Sequence, residues 1–299
     1  MQAPPVRRRS HESEVGCWEV TSRAPHPLLS PYVRGYEAYS ERGLSFRARL
    51  EVPHPGVVVI LTFGPRLRSL FRGQESAAEE HGSFVAGMHD AHVLVEQSGP
   101  SDGLQVNLTP LGAYAVLGLP MAELTNRTLD LGELLGPSAG ELVERMLRAP
   151  NWDDRMTVID EFIFRRLRRA RMPSDGVAWA WHRVLGSGGA VAIGSLAEKL
   201  GCSQKHLITQ FREQVGLPPK TAARVVRFDR AVGMLQRPSS LRCSRPERAP
   251  QRLADIAAEC GYFDQAHFTR EFSAFAGCSP ADFASRILPG EGGVLGDPR

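Results

Sequence analysis

Residues 253–283 read LADIAAECGYFDQAHFTREFSAFAGCSPADF, and this stretch decides the fold of the C-terminal part of the chain. Leu253, Ile256 and Cys260 recur at the three- to four-residue spacing of a helix with one apolar face. Gly261 follows, and glycine tolerates the left-handed backbone on which such a helix ends. A second helix is predicted next, with an apolar side formed by Phe268, Phe272 and Phe275. Two helices joined by a glycine turn, the second with a polar face, make a helix-turn-helix.

The same pattern occurs once more upstream, in IGSLAEKLGCSQKHLITQFREQVGLPP, residues 193–219. Matching residues are 60 positions apart up to the turn glycine and 61 after it, so the second turn is one residue longer. The matched residues are Leu196 with Ile256, Ala197 with Ala257, Leu200 with Cys260, Gly201 with Gly261, Leu207 with Phe268, Phe211 with Phe272, Gly216 with Gly277, and Pro219 with Pro280. This agreement indicates an internal repeat of one structural unit.

The two units and the segment between them, which contains RVVRFDRAVGML, resemble the DNA-binding domain of AraC/XylS-type transcriptional regulators. The resemblance covers residues 177–288, and the segment GYFDQAHFTREF is its most specific part. It implies two helix-turn-helix units, at about 193–215 and 253–276, joined by a linking helix at 219–236. Such units read successive major grooves of double-stranded DNA. We therefore expect a regulator of transcription, with DNA, RNA polymerase, a small-molecule effector and a second copy of the chain as partners.

The polar faces of the two second helices supply the residues that we expect at the DNA. Arginine is the usual partner of guanine, and glutamine pairs well with adenine. The residues expected to contact bases are Lys205, Ile208, Thr209, Gln265, Thr269 and Arg270. Those expected at phosphates or in the supporting structure are Ser203, Arg212, Lys220 and Arg227, with Asp264 as a helix cap. Phosphate contacts position a protein on DNA without reading its sequence.

The first unit departs from the family at one base-reading position. Family members commonly carry an arginine where this chain has Thr209. Without that guanine reader, we expect the first unit to depend more on Lys205, on contacts with thymine methyl groups and on the DNA backbone.

Length and charge agree with two domains of different character. The chain has 299 residues, 42% hydrophobic and 23% charged, with a net charge of +3. Residues 177–299 hold 16 Lys and Arg against 11 Asp and Glu, whereas residues 1–176 hold 20 against 22. A basic C-terminal half suits a phosphate-contacting domain. No apolar run approaches the ~18 residues of a membrane span, and we expect a cytoplasmic protein.

The N-terminal half gives weaker signals. Residues 1–25 are polar and rich in proline and arginine, and we expect a disordered tail. Residues 26–171 contain short β-type runs, such as Val57–Thr62, and then helical periodicity after Pro110. The predicted fold class is α+β, with an N-terminal barrel-like, cupin-like domain carrying appended helices and a C-terminal all-α domain. This order resembles the sensing and dimerisation domains of many AraC-type regulators, and it predicts a linker at 172–176 and a tail at 289–299.

Two alternatives belong to other functional classes. A cupin-like metalloenzyme would draw ligands from His81, His89, His92 and Glu96. The spacing of His89 and His92 does not put both on one face of a strand, and the five cysteines are scattered. We therefore predict no catalytic residue, no cofactor and no metal. The other alternative is an effector-independent architectural DNA binder, which would show little sequence preference.

Residues 237–252, RPSSLRCSRPERAPQR, separate the linking helix from the second unit. AraC-type regulators usually cross this gap with fewer residues. Because loop-closure entropy grows only slowly with length, such an insertion costs little stability. We expect a flexible basic loop there, and the insertion puts the spacing of the two reading helices in question.

Overall fold

The computed structural model describes residues 4–14, 16–44, 48–71, 79–96, 99–236, 249–288 and 293–296. An N-terminal part of two β-sheets and four helices precedes a C-terminal part of seven helices. The predicted α+β class with two domains is confirmed in this arrangement. The sheets form an open pair, and no closed barrel is found among the described strands.

The described residues of the N-terminal part form eleven strands. They are β1 (Arg7–Ser13), β2 (Gly16–Arg23), β3 (Val33–Arg42), β4 (Ala48–Glu51), β5 (Val57–Thr62), β6 (Leu67–Phe71), β7 (Glu79–His81), β8 (Phe84–Ala86), β9 (Val93–Glu96), β10 (Ser101–Leu108) and β11 (Thr128–Asp130). One sheet has the order β1-β2-β3-β10-β5-β8-β11, and the other has the order β4-β9-β6-β7. All recorded strand pairs are antiparallel.

The seven-stranded sheet divides its side chains between two faces. Side chains alternate along a strand, so one set points to the helices and the other to the second sheet. Tyr36 and Ala38 of β3 and Val106 of β10 are buried on the helix side. Glu37 and Tyr39 of β3 belong to the opposite face, where they line a cavity. This alternation places polar groups between the two sheets.

Helices α1 (Pro110–Leu117), α2 (Leu131–Leu135), α3 (Pro137–Arg148) and α4 (Trp152–Leu167) complete the N-terminal part. A buried polar group fixes α4 to the sheet. Arg23, whose side chain is fully buried, pairs with Asp160 at 2.5 Å and with Asp153 at 2.9 Å. The Tyr36 hydroxyl donates to Asp160 at 2.6 Å. A buried guanidinium needs such partners because desolvation of a charge is costly.

The expected disordered tail at residues 1–25 is wrong. Strands β1 and β2 form an antiparallel hairpin that pairs with β3. The basic residues Arg7, Arg8 and Arg9 lie on the exposed edge strand, where Arg8 pairs with Glu19. Strand pairing with a distant segment satisfies this polar backbone, and local composition does not report such pairing.

The C-terminal residues that the structure describes form seven helices. They are α5 (Asp175–Gly186), α6 (Ile193–Lys199), α7 (Gln204–Val215), α8 (Pro219–Gln236), α9 (Ala249–Glu259), α10 (Gln265–Ala276) and α11 (Pro280–Ser285). Helix α8 has the bounds predicted for the linking helix. Helix α9 begins at Ala249, four residues before the predicted start of the second unit at 253, so the end of the expected loop is helical. The remainder of that loop, residues 237–248, lies outside the described residues.

The expected C-terminal tail at 289–299 is also wrong in part. After α11 the chain returns to the N-terminal part, where Leu295 bridges Arg49 of β4. The Leu50 amide donates to Val294 O at 2.9 Å, and the Gly296 amide donates to Ala48 O at 3.0 Å. Since β4 is an edge strand, residues 294–296 cover hydrogen-bonding groups that would otherwise face solvent. We call residues 293–296 the returning segment.

The two parts share one continuous apolar cluster. Helix α1 lies at its centre, with all eight of its residues buried, and contacts both α4 and α7. A helix that is apolar all round is found where it is covered on every side. The N-terminal part therefore packs directly on a helix of the first helix-turn-helix unit.

Candidate nucleic-acid interface

The first unit has the predicted helix-turn-helix form. Helices α6 and α7 are joined by a turn in which Gly201 has a φ of +62°, a left-handed value that favours glycine. Ser203 caps α7, because its hydroxyl accepts the His206 amide at 3.1 Å. Leu207 and Phe211 are buried beneath the helix. The N-terminal half of α7 is thus left exposed, in the manner of a reading helix.

The second unit repeats this geometry. Gly261 has a φ of +74° in the turn between α9 and α10. Asp264 caps α10 by accepting the His267 amide at 2.6 Å, in the same position as Ser203 on α7. Phe268 and Phe272 are fully buried. The internal repeat inferred from the sequence is therefore a repeat of structure, including the longer second turn.

Most of the predicted contact residues lie on accessible faces of these helices. Lys205, Ile208, Thr209 and Arg212 are exposed on α7, and Lys220 is exposed at the start of α8. On α10, Arg270 is exposed, and Gln265 and Thr269 are half-buried. The Thr209 hydroxyl donates to Lys205 O at 3.1 Å, so its proton is used within the helix. These placements are compatible with the base and phosphate roles, which stay predictions.

Arg227 occupies an internal position, unlike the other predicted contacts. Its guanidinium donates to Gly189 O at 3.1 Å and lies 5.4 Å from the centre of the Tyr262 ring. It thus links the loop before the first unit to the turn of the second. Among the ion pairs of the described residues none involves Arg227, and the nearby carboxylate of Glu213 pairs with Arg171 at 3.1 Å.

Phe263 is a surface feature that the sequence reading missed. Its side chain is 92% exposed, in the turn that leads into α10. The neighbouring Tyr262 is buried, and His267 accepts the Phe263 amide at 3.3 Å, so the backbone here is held. The sequence did contain a signal for it, because Tyr262 and Phe263 are adjacent aromatic residues and the core of a helix-turn-helix needs only one of them. An exposed aromatic ring beside a reading helix can make apolar contacts with thymine methyl groups.

The C-terminal ends of both reading helices contact the N-terminal part. Helix α7 packs against α1 and against the short 3-10 helix Met121–Glu123. The Tyr114 hydroxyl of α1 donates to Glu213 at 3.5 Å. At the end of α10, Gly277 has a φ of +74°, and a Cβ there would lie 2.3 Å from the His92 ring. Each reading helix is therefore accessible at its N-terminus and covered at its C-terminus.

A cavity of about 340 Å³ lies between the two sheets of the N-terminal part. The wall includes apolar side chains of β5, β8 and β9 and the carboxylates of Glu37, Glu41 and Glu51. Arg49 also lines the cavity and pairs with Glu41 at 2.5 Å. Gly293 of the returning segment contributes to the wall. This volume is within the range of pockets for small molecules.

Burial shifts the titration of several groups around the cavity. Desolvation raises the pKa of Glu37, and it also raises that of Glu51, where Arg49 acts in the lowering direction and Glu41 in the raising one. Desolvation, with contributions from Arg34 and His89, lowers the pKa of His54 from 6.5 to about 4. His89 shifts in the same direction for the same main reason. Both imidazoles are consequently neutral near pH 7.

The loop between β8 and β9 connects this cavity to the second unit. Gly87, His89 and Ala91 line the cavity, and His92 in the same loop contacts the end of α10 at Gly277. Only two residues therefore lie between His89, in the cavity wall, and His92, which contacts the second reading helix.

Two family models match the chain in separate regions. Residues 196–286 match a family described as a helix-turn-helix domain, and residues 21–130 match a domain of unknown function (DUF6597). The C-terminal domain is of the AraC type. The chain therefore contains a helix-turn-helix domain in the region where the sequence resembles AraC-type regulators, in agreement with that resemblance.

Three solved structures are similar to all or part of this chain. ToxT from Vibrio cholerae O395 is 9% identical, with 84% of this chain and 97% of that chain covered and a TM-score of 0.47. The C-terminal domain of AraT, a response regulator from Geobacillus stearothermophilus, is 21% identical, with 40% and 92% covered and a TM-score of 0.32. The AraC-like transcriptional activator CuxR is 14% identical, with 73% and 84% covered and a TM-score of 0.30.

Comparison with curated protein sequences gives no match. Within the described residues of the regulator, no group of three or more His, Cys, Asp and Glu side chains could hold a metal ion. Of the ligands named for the metalloenzyme alternative, His89 lines the cavity, His92 contacts Gly277 and Glu96 pairs with Arg68 at 2.9 Å, so these three are not gathered at one centre. Among the helices of the described regions, none combines the length and apolarity that crossing a membrane requires.

Proposed function

We propose that this regulator recognises a specific duplex site with both reading helices, in successive major grooves, under the control of a small effector bound in the N-terminal cavity. The matched exposure of the N-terminal halves of α7 and α10 carries the DNA-reading part of the proposal. With each helix in its own groove, the two contact centres would be ~34 Å apart, one helical turn.

The contact roles follow from the side chains that each helix presents. Lys205, Ile208 and Thr209 would face bases in one groove, and Gln265, Thr269 and Arg270 in the next. Ser203 and Asp264 keep the helix N-termini ordered, and Arg212 and Lys220 would neutralise phosphates. Arg227 would act within the domain, through Gly189 and Tyr262.

The effector part rests on the contacts between the N-terminal part and both reading helices. A ligand changes DNA binding only if its affinity differs between two arrangements of the protein. The cavity borders the loop that holds His92 against the end of α10, and α1 packs on α7. A ligand that moves this loop or α1 would therefore change how the reading helices are presented. Contact with RNA polymerase, dimerisation, a cytoplasmic location and the lack of an enzymatic activity stay predictions.

Selection of bound sequences from a random duplex pool tests the DNA-reading part. The full chain is used at one near-physiological salt concentration, because nonspecific affinity falls steeply with salt. We expect two enriched boxes about one helical turn apart. A single box would leave one unit without a reading role, and absence of enrichment would contradict sequence-specific recognition and favour the architectural alternative.

A further inference from the structure

The cavity between the sheets combines an apolar wall with an excess of acidic groups. Val58, Ile60 and Phe84 of the large sheet contribute apolar surface, and Val93 and Val95 of β9 face them from the small sheet. Among the polar lining groups, Glu37 and Glu41 belong to one face of β3. Glu51 comes from β4 on the opposite sheet. A ligand between the sheets would meet carboxylates from both sides.

The charges that face the cavity do not balance. Among the lining residues that the structure describes, the acidic groups are Glu37, Glu41 and Glu51, and the cationic group is Arg49. Arg49 pairs with Glu41 through one carboxylate oxygen, Oε1. His54 and His89, which also line the cavity, are neutral near pH 7. Arg49 also acts on Glu51, where it lowers the pKa, so one guanidinium serves both Glu41 and Glu51 and the described lining keeps an acidic excess.

Glu41 supplies a second and independent observation. Glu41 is only 4% exposed, and its Oε2 atom accepts no hydrogen bond within the part of the chain that the structure describes. Buried carboxylate oxygens are nearly always hydrogen-bonded, because an unsatisfied one carries a full desolvation cost. An unsatisfied oxygen on the wall of a cavity marks the position at which a donor group on a ligand would bind.

We propose that the cavity binds a protonated amine that carries an apolar body. The ammonium group would donate to the carboxylates of Glu51 and Glu37 and to the free oxygen of Glu41, and the body would lie against Ile60 and Phe84. This ligand class rests on the proposed function, because it assigns chemistry to the effector of the same cavity.

The same charges argue against the other classes of small ligand. An anionic ligand would face three carboxylates and a single cation that is already paired. A neutral alcohol would displace water from the exposed carboxylates of Glu37 and Glu51 without supplying a counter-charge. Among these classes, only a cationic ligand would be attracted by the excess of acidic groups. This attraction is strong where water is displaced.

Calorimetric titration of the full chain with n-hexylammonium tests the ligand class. 1-Hexanol and hexanoate serve as matched probes of the same length with no charge and with negative charge. We expect n-hexylammonium to bind and the other two to bind at least tenfold more weakly. Tighter binding of hexanol or hexanoate would overturn the amine class while leaving an effector cavity in place, and binding by none of the three would overturn the amine class as well.

Glu51→Gln and Glu37→Gln identify the site, because each keeps the shape of the side chain and removes its charge. Each should weaken n-hexylammonium binding roughly tenfold or more, as expected for loss of a charge-assisted hydrogen bond. Glu80→Gln, an exposed position on β7 outside the cavity, is the matched control and should leave the affinity unchanged. Equal weakening in all three variants would place the amine elsewhere.

Proton release gives a readout that depends on these carboxylates. The pKa values of Glu37 and Glu51 are raised in the free cavity, whose other described ionisable groups are Tyr39, Glu41, Arg49, His54 and His89. A bound cation favours the ionised carboxylates, so affinity should fall as the pH falls, and binding should release protons at acidic pH. The Gln variants should reduce this release, and an unchanged release would contradict the assignment.

The effect on DNA separates the ligand class from the proposed function. If n-hexylammonium binds in the cavity but leaves affinity for the selected duplex unchanged, the amine class stands and effector control by this cavity is wrong. If no duplex is enriched in the selection, the DNA-reading part fails independently of calorimetry.

Discussion

The two reading helices share a frame and differ in the residue that would read guanine. Arg270 is exposed on α10, whereas Thr209, exposed on α7, donates its hydroxyl to its own helix. An arginine can bind guanine through two hydrogen bonds, and a threonine methyl group can contact thymine. Specificity should therefore be unequal between the two halves of the DNA site.

Replacing Arg270 should show that the two halves of the DNA site differ in specificity. We expect Arg270→Ala to reduce affinity for the selected site by ~1–3 kcal/mol and to relax the preference at one or two base pairs. Competition binding against single-base variants of the site measures both effects. Arg183→Ala, at an exposed position on α5 outside the reading helices, is the control. Uniform weakening on all sequences would make Arg270 a phosphate contact.

Phe263 tests whether the interface extends into the turn before α10. Since the ring is 92% exposed, Phe263→Ala should leave the free energy of unfolding within about 0.5 kcal/mol of the original value. We expect the same change to weaken binding to the selected duplex several-fold. Fluorescence anisotropy and urea unfolding give the two quantities. Leu28→Ala, on a residue 68% exposed in the N-terminal part, should change neither.

At the scale of elements, locally encoded features could be predicted from the sequence. Helix α8 has the expected bounds because Pro219 suits a helix start and its apolar stripe is continuous. The turns at Gly201 and Gly261 follow from the need for positive φ. Strand β1 could not be predicted in this way, because its polar residues show no alternation and its partner β2 alone defines it. Arg23 is buried only because Asp160, far along the chain, meets it.

The glycines at 261 and 277 allow a matched experiment on the contact between the second unit and the N-terminal part. Both have a φ of +74°, so an alanine at either should cost ~1–2 kcal/mol of backbone strain. A Cβ at Gly277 would also meet the His92 ring at 2.3 Å, and one at Gly261 would meet nothing within 4 Å. We expect Gly277→Ala to destabilise the protein more than Gly261→Ala, as measured by urea unfolding.

The excess cost at Gly277 should depend on His92. In a His92→Ala background, the Gly277→Ala change should cost no more than Gly261→Ala does. An excess that persists without the imidazole would mean that the strain arises within the C-terminal domain.

At the scale of the whole molecule, the cavity and the domain contact were beyond the reach of sequence reading. Glu37 and Glu51 belong to different sheets and become neighbours of one space only after the sheets pack. Likewise, the eight residues of α1 read as an ordinary apolar run, and its position against α7 depends on tertiary packing. The order of strands and then helices is sufficient to predict two domains. The contacts between the domains depend on tertiary packing, which the order of elements does not report.

The returning segment gives a prediction that spans both domains. A chain ending at residue 292 loses the two backbone hydrogen bonds to β4 and the buried side chain of Val294. We expect its free energy of unfolding to fall by about 1–3 kcal/mol. A chain ending at residue 296 is the control and should match the full chain. Equal stability of both shortened chains would mean that the segment contributes nothing to the N-terminal sheet.

This segment also links the fold to the order in which the ribosome delivers the chain. Domains generally fold from the N-terminus during synthesis. Here the segment that covers β4 and the glycine that lines the cavity lie within residues 293–296, which are translated after the DNA-binding domain. A nascent or prematurely terminated polypeptide would carry the sensing sheet with an uncovered edge and an incomplete cavity wall. The cavity wall can therefore be complete only after the entire DNA-binding domain has been translated.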